Sequence, residues 1–147
     1  MQVADILKKK GHRVFTVAPE RTLWETASLL AEMRIGAVVV AGPDERMQGI
    51  FTERDLVREC FERPDALRKT RVGEVMTRDV VTCHPDDDVR RIERTMREHE
   101  IRHLPVLQGD AVVGMVSIRD VMGALYESAV EDANDLRDHL AGHYVVC

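Results

Sequence analysis

The chain is written twice. Val14-Phe15-Thr16-Val17-Ala18-Pro19 aligns with Val80-Val81-Thr82-Cys83-His84-Pro85 at a spacing of 66 residues, and the spacing persists through Leu23/Val89, Leu30/Met96 and Ile35/Ile101. It then shortens to 65, where Gly49 to Asp55 (GIFTERD) aligns with Gly114 to Asp120 (GMVSIRD). The lost residue falls in the turn that contains Gly42-Pro43-Asp44 in one copy and Gln108-Gly109-Asp110 in the other. Turns are where length changes cost least. Such a repeat restricts the fold to two similar units, each of which needs the other to cover its apolar face.

Each copy carries the same periodicities. Thr16-Val17 is a short β run stopped by Pro19, and Leu23, Ala27, Leu30 and Met33 then recur at helical spacing, as Val89, Ile92, Met96 and His99 do in the second copy. Gly36 to Ala41 and His103 to Leu107 are apolar and β-branched. After a Gly/Asp turn, Met47 to Thr52 and Ala111 to Ser117 are again β runs, leading into helices from Arg54 and Arg119. The expected fold class is α/β (α+β), with two pseudo-twofold-related β-α-β-β-α units packed through their sheets. The division is 1–61 for unit 1, 62–71 for a polar linker, 72–126 for unit 2 and 127–147 for a helical tail. Ala129, Ala133, Leu136 and Leu140 give the tail a narrow apolar stripe ending at Gly142, to be laid on the core or used between subunits.

Composition narrows the class. The 147 residues are 44% apolar and 32% charged with 9 Gly and 5 Pro, the profile of a folding chain rather than a disordered one. Lys and Arg total 21 against 26 acids, a net charge of −5, and only Lys8-Lys9-Lys10 stands out as basic, which disfavours nucleic acid as a partner. The most apolar stretch, Ile35 to Gly42, falls well short of the roughly 20 residues needed to cross a bilayer. The N-terminus lacks a secretory pattern, so the expected location is the cytoplasm, with no membrane partner. Cys60, Cys83 and Cys147 have no C-x-x-C spacing and are expected to be reduced thiols rather than a disulfide framework or a metal cage.

The sharpest local signal is Thr52-Glu53-Arg54-Asp55 and its counterpart Ser117-Ile118-Arg119-Asp120. A Ser or Thr with an acid three residues on is a capping box and explains a helix start without any ligand. The same atoms serve a nucleotide: a strand running into a helix N-terminus presents free N–H groups to a phosphate, and an adjacent carboxylate suits ribose hydroxyls. The order and spacing of these motifs, together with Ile101-Arg102-His103-Leu104-Pro105-Val106, resembles a tandem pair of CBS domains, the Bateman module, from Val3 to Leu125.

The resemblance implies a cleft in each half for AMP, ADP, ATP, NAD(H) or S-adenosylmethionine, the ligand being held between the halves, and a sensing role with no catalytic cofactor. By position, Asp55 and Asp120 would grip ribose hydroxyls, and Thr52 and Ser117 would approach phosphate. Val14, Thr16 and Val17, with Val80, Thr82 and Cys83, would supply backbone contacts to adenine. The strands opening at Ile35 and Ile101 would line the clefts, bringing in Ala37 and Pro105, while Arg102 and His103 offer cations. Where the second copy has Arg102, His103 and Pro105, the first has Gly36, Ala37 and Val39, so the cleft that Arg102-His103 faces should prefer more phosphate charge. Arg54 and Arg119 are expected to point to solvent. A module of this kind commonly pairs as a homodimer, here through the faces of Leu23 to Met33 and Val89 to His99 or through the tail, and signals to a protein effector.

Other patterns carry less. His99-Glu100-Ile101-Arg102-His103 fits the zinc-protease pattern H-E-x-x-H, which needs one continuous helix, but Pro105 biases Leu104 out of the helical region. No other nucleophile, base or metal set suggests an enzyme. His139 and His143 with Cys147 could form a terminal metal site, and the bland alternative is exposed surface histidines. His12 and His84 sit near strand starts and are expected to be turn residues, His12 close to the second cleft. The rival to a sensor is a ligand-free dimeric interaction scaffold in which the repeated motif is a cap and nothing more.

Overall fold

The computed structural model describes residues 1–144. Its elements in chain order are α1 (Val3–Lys10), β1 (Thr16–Val17), α2 (Leu23–Met33), β2 (Ala37–Ala41), β3 (Met47–Thr52), α3 (Glu53–Glu62), α4 (Val72–Val75), α5 (Val89–His99), β4 (His103–Gln108), β5 (Ala111–Ser117) and α6 (Ile118–Tyr144). In the first unit β1 runs parallel to β2, which pairs antiparallel with β3. In the second, β4 and β5 form the antiparallel pair. The counterpart of β1 is not a strand: Val80 to Cys83 contributes only a parallel bridge from Cys83 to Val106.

Pseudo-symmetry extends to irregular details. The ladders shift register at Val40/Ala41 and at the equivalent Val106/Leu107. Helices α2 and α5 both end on a left-handed residue, Arg34 and Glu100, each with φ 54°. The sheets meet through Ala37, Val39, Ala41 and Ile50 from one side and Met115 from the other, as packing through sheets requires.

The units also exchange helices. Val3, Ile6 and Leu7 of α1 are buried not in the first unit but in the core of the second, with Val89, Ile92, Met96, Leu104 and Val116. Reciprocally, Val72 of α4 and Met76 just after it complete the first core, with Leu23, Leu30, Val38 and Phe51. Each fully buried aliphatic side chain contributes about 1.5–3 kcal/mol, so the exchange ties the halves together strongly. It also explains the repeated glycines. A Cβ on Gly49 would lie 2.6 Å from the Thr77 carbonyl oxygen and 2.7 Å from Met76 Sδ, and one on Gly114 would lie 2.7 Å from Leu7 Cδ2. Glycine is where the exchanged segment crosses the strand.

Two boundaries differ from expectation. Helices α3 and α6 begin at Glu53 and Ile118, one residue early, because the caps are Thr52 and Ser117. Gly142 stops nothing: α6 is a single helix of 27 residues, and one glycine in a solvated helix costs only about 1 kcal/mol. The tail is its continuation and is not laid on the core. Val121 and Ala124 anchor the start of α6, whereas residues 129–142 are all exposed. No helix among the described residues is long and apolar enough to cross a membrane.

Candidate functional site

Two cavities open between the units. The first, about 720 Å³, is bounded by Thr52 and Asp55 at the start of α3, by Thr77 and Val80-Val81, and by Ile101 to His103 of the other unit. The second, about 860 Å³, lies between Ser117 at the start of α6 and Val14, Ile35, Gly36 and Ala37 of the first unit. Both volumes suit a nucleoside-sized ligand. The clefts lie between the halves, and each takes its helix N-terminus from one unit and its strand wall from the other.

The capping boxes form in both copies. The Asp55 N–H donates to Thr52 Oγ1 at 3.2 Å, and Asp55 Oδ2 accepts from the Thr52 N–H at 2.9 Å. The Asp120 N–H donates to Ser117 Oγ at 3.2 Å, and Asp120 Oδ2 accepts from the Ser117 N–H at 2.8 Å. Both boxes engage Oδ2 and leave Oδ1 of each aspartate to other partners; among the described residues Asp55 Oδ1 has only the exposed Arg58 guanidinium, 3.6 Å away. A capping role and a ligand role are therefore compatible.

The clefts differ at these acids. Lys10, the last residue of the exchanged α1, donates from Nζ to Asp120 Oδ2 at 2.5 Å and to the Met115 carbonyl at 2.7 Å. Burial on its own would raise the Asp120 carboxyl, but the Lys10 ammonium and the Ser117 N–H outweigh it and hold the group below the usual carboxylate range. Lys10 was missed in the sequence because it sits in a lysine run that looks solvated, and only the helix exchange brings it to Asp120.

Arg102 and His103 line both cavities, so they cannot by themselves make the clefts unequal. The His103 imidazole is pushed down from its ordinary value by burial first, then by Lys10 and Arg102, against the opposing pull of Glu53 and Asp120. A Cβ on Gly36 would lie 2.7 Å from His103 Nε2 and 3.3 Å from Glu53 Oε1, so glycine at this position makes room for the imidazole of the other unit.

The remaining expected residues divide. Val14 and Ala37 line the second cavity, Val80 the first. Thr16, Val17, Thr82, Cys83 and Pro105 line neither: Thr16 is exposed, Thr82 is half-buried, and Val17, Cys83 and Pro105 are buried in the sheets. Burial pushes the Cys83 thiol up to about 12, which leaves it unreactive. His12 is also outside both cavities, exposed, with Nδ1 3.1 Å from the Val113 carbonyl. Arg54 and Arg119 do not simply face solvent: each lines a cavity, and the Arg54 guanidinium donates to the Glu100 carbonyl at 3.2 Å. His99 and His103 share no helix, because α5 ends between them at Glu100. Cys147 lies outside the described residues, and so does any terminal site that includes it.

The sequence model of one family, CBS domain, matches residues 3–62 and again residues 72–127. The chain is similar to the mitochondrial CBS domain-containing protein CBSX3 of Arabidopsis thaliana, 30% identical over 97% of this chain and 73% of that protein. Among solved structures it is similar to the CBS-domain containing protein ATU1752 from Agrobacterium tumefaciens, with a TM-score of 0.82 and 37% identity over 84% of this chain and 98% of that one. It is also similar to the CBS domain pair of protein MJ0100, solved in complex with 5′-methylthioadenosine and S-adenosyl-L-methionine, with a TM-score of 0.76 and 25% identity over 87% of this chain and 98% of that one.

Proposed function

The chain belongs to the CBS-domain family, and from that premise we propose that it is a regulatory module binding adenosine-containing ligands in its two inter-unit clefts. The observation that carries the reading is that each cleft is lined by a capped helix N-terminus, with the first-turn Asp55 lining the first cleft and Asp120, one residue past the lining Arg119, beside the second. Such an end offers N–H groups and a partial positive charge to a phosphate, and the aspartate offers acceptors to ribose hydroxyls. Similarity to a CBS pair crystallised with two adenosine compounds supports the ligand class. The ligand reports energy or redox state, and the readout passes to a protein effector or through self-association rather than through catalysis.

Self-association has a defined face in this reading. Val57 and Phe61 on α3 are 68% and 88% exposed, and their repeat equivalents on α6, Met122 and Tyr126, are 52% and 71% exposed. Large apolar groups left open at pseudo-twofold positions suit a second copy. The contact proposed here is on α3 and α6, whose apolar groups include the most exposed, in place of the α2 and α5 faces or the tail; the exposed positions of α5 include Arg90, Arg91, Arg94 and Arg97. Light scattering should return a dimer for the native chain and a monomer of 16.7 kDa for Phe61→Glu/Tyr126→Glu.

The ligand reading is tested by thermal shift with AMP, ADP, ATP, NAD, NADH and S-adenosylmethionine. A ligand at about 100 times its dissociation constant adds about 2.7 kcal/mol of stability, a readily measured rise in melting temperature. No saturable shift with any of them would leave the ligand-free scaffold.

A further inference from the structure

The clefts are equivalent by repeat, yet their charges are opposed. Around the second cavity five charged side chains are cationic, Lys10, Arg13, Arg34, Arg102 and Arg119, and one, Glu53, is a carboxylate. Asp120 beside it is already paired with Lys10. Around the first cavity four carboxylates, Glu53, Asp55, Asp79 and Glu100, outnumber three guanidinium groups. The reversal falls on equivalent positions: at the 66-residue spacing Arg13 corresponds to Asp79 and Arg34 to Glu100. Arg34 and Glu100 even share their backbone state, the left-handed residue that ends α2 and α5. The fold has thus placed unlike charges in like geometry.

We propose that the second cleft selects adenosine ligands that carry a phosphate chain, and that the first selects adenosine ligands whose 5′ substituent is neutral or cationic, a thioether or a sulfonium. This rests on the adenosine reading above and adds to it which charge each cleft accepts. A diphosphate in the second cleft meets the surplus cations in a partly water-excluded space, where Coulomb terms are strengthened. The same group in the first cleft meets Asp79 and Glu100, which repel it. A sulfonium is favoured there by those carboxylates and opposed in the second cleft.

The test uses the full chain and two probes, ADP and 5′-methylthioadenosine, titrated by calorimetry at low and high salt. The native protein should bind ADP at one site per chain, with an affinity that falls as salt rises. The ratio of ADP affinity to methylthioadenosine affinity should drop at least tenfold in Arg34→Glu. In Glu100→Arg a second ADP site should appear. Arg34→Gln and Glu100→Gln, which remove charge without reversing it, should move the same readouts in the same directions by smaller factors, and they serve if a reversal variant does not fold. Two equal ADP sites in the native chain, or a ratio unchanged in variants that melt like it, would overturn the charge partition alone. No saturable binding of either probe would overturn the adenosine reading and the partition together.

Discussion

Lys10 Nζ sits 2.5 Å from Asp120 Oδ2, an ion pair that joins the end of α1 to the first turn of α6. It exists because α1 leaves its own unit and packs in the other. The second cleft therefore holds its ribose-directed acid against an ammonium, while the cation nearest Asp55 among the described residues is an exposed arginine at 3.6 Å. The repeat makes two alike helix ends, and the helix exchange makes them unlike.

This pair sets an acid limit on stability. The Asp120 carboxyl is held below its unfolded value of about 3.9, so its contribution is present above that pH and is lost as pH falls through the lower folded value. Thermal melts from pH 5 to pH 2 should show the native chain losing stability more steeply than Lys10→Ala, in which the carboxyl is released toward its ordinary value. Parallel curves would mean that the ion pair contributes nothing.

His103 acts at a higher pH. Burial, the largest influence, with Lys10 and Arg102 beside it, lowers its folded value below the unfolded value of about 6.5, so the unfolded chain takes up the proton first. Stability should rise with pH through this window and be lost on acidification from about 6.5 downward. His103→Gln should flatten the dependence between pH 7 and pH 5. Unchanged steepness would assign the loss to other groups.

The crossing glycines should respond unequally to a methyl group. Gly49→Ala drives a Cβ to 2.6 Å from a backbone carbonyl that is held in a bridge between Ile50 and Thr77, and should destabilise by about 1–3 kcal/mol. Gly114→Ala meets the Leu7 side chain first, rather than backbone, and should cost less. Urea denaturation of the two variants gives the comparison, and equal losses would contradict it.

Much of this architecture was legible because the repeat is local and in register. Two units, paired strands, Thr52/Asp55 and Ser117/Asp120 all follow from spacing that a helix start and a strand impose on any chain. What was not legible depends on where distant segments go. Nothing in the pattern of Val3, Ile6 and Leu7 says that they form a helix that enters the core of the second unit, and so the Lys10 contact could not be foreseen. The resemblance, carried over by alignment position, points to Thr16, Val17, Cys83 and Pro105 as site residues. The structure turns Val17, Cys83 and Pro105 into core, a matter of strand facing that register decides. Arg13, Arg34, Asp79 and Glu100 look like ordinary surface charges until the cavities place them.

The central claim is that Asp55 and Asp120 hold the ribose of an adenosine ligand. It is tested most directly by calorimetric titration of ADP, for the second cleft, and of 5′-methylthioadenosine, for the first, into the native chain and into Asp55→Asn, Asp120→Asn and the double variant, asparagine keeping an acceptor for each helix cap. Hydrogen bonds to a charged acceptor contribute about 1.5–3 kcal/mol, so each single variant should lose roughly tenfold or more at its own cleft. The double variant should bind almost nothing while still melting cooperatively, somewhat below the native temperature because the Lys10–Asp120 ion pair is lost. Native affinity for both ligands in a folded double variant would return both aspartates to capping alone.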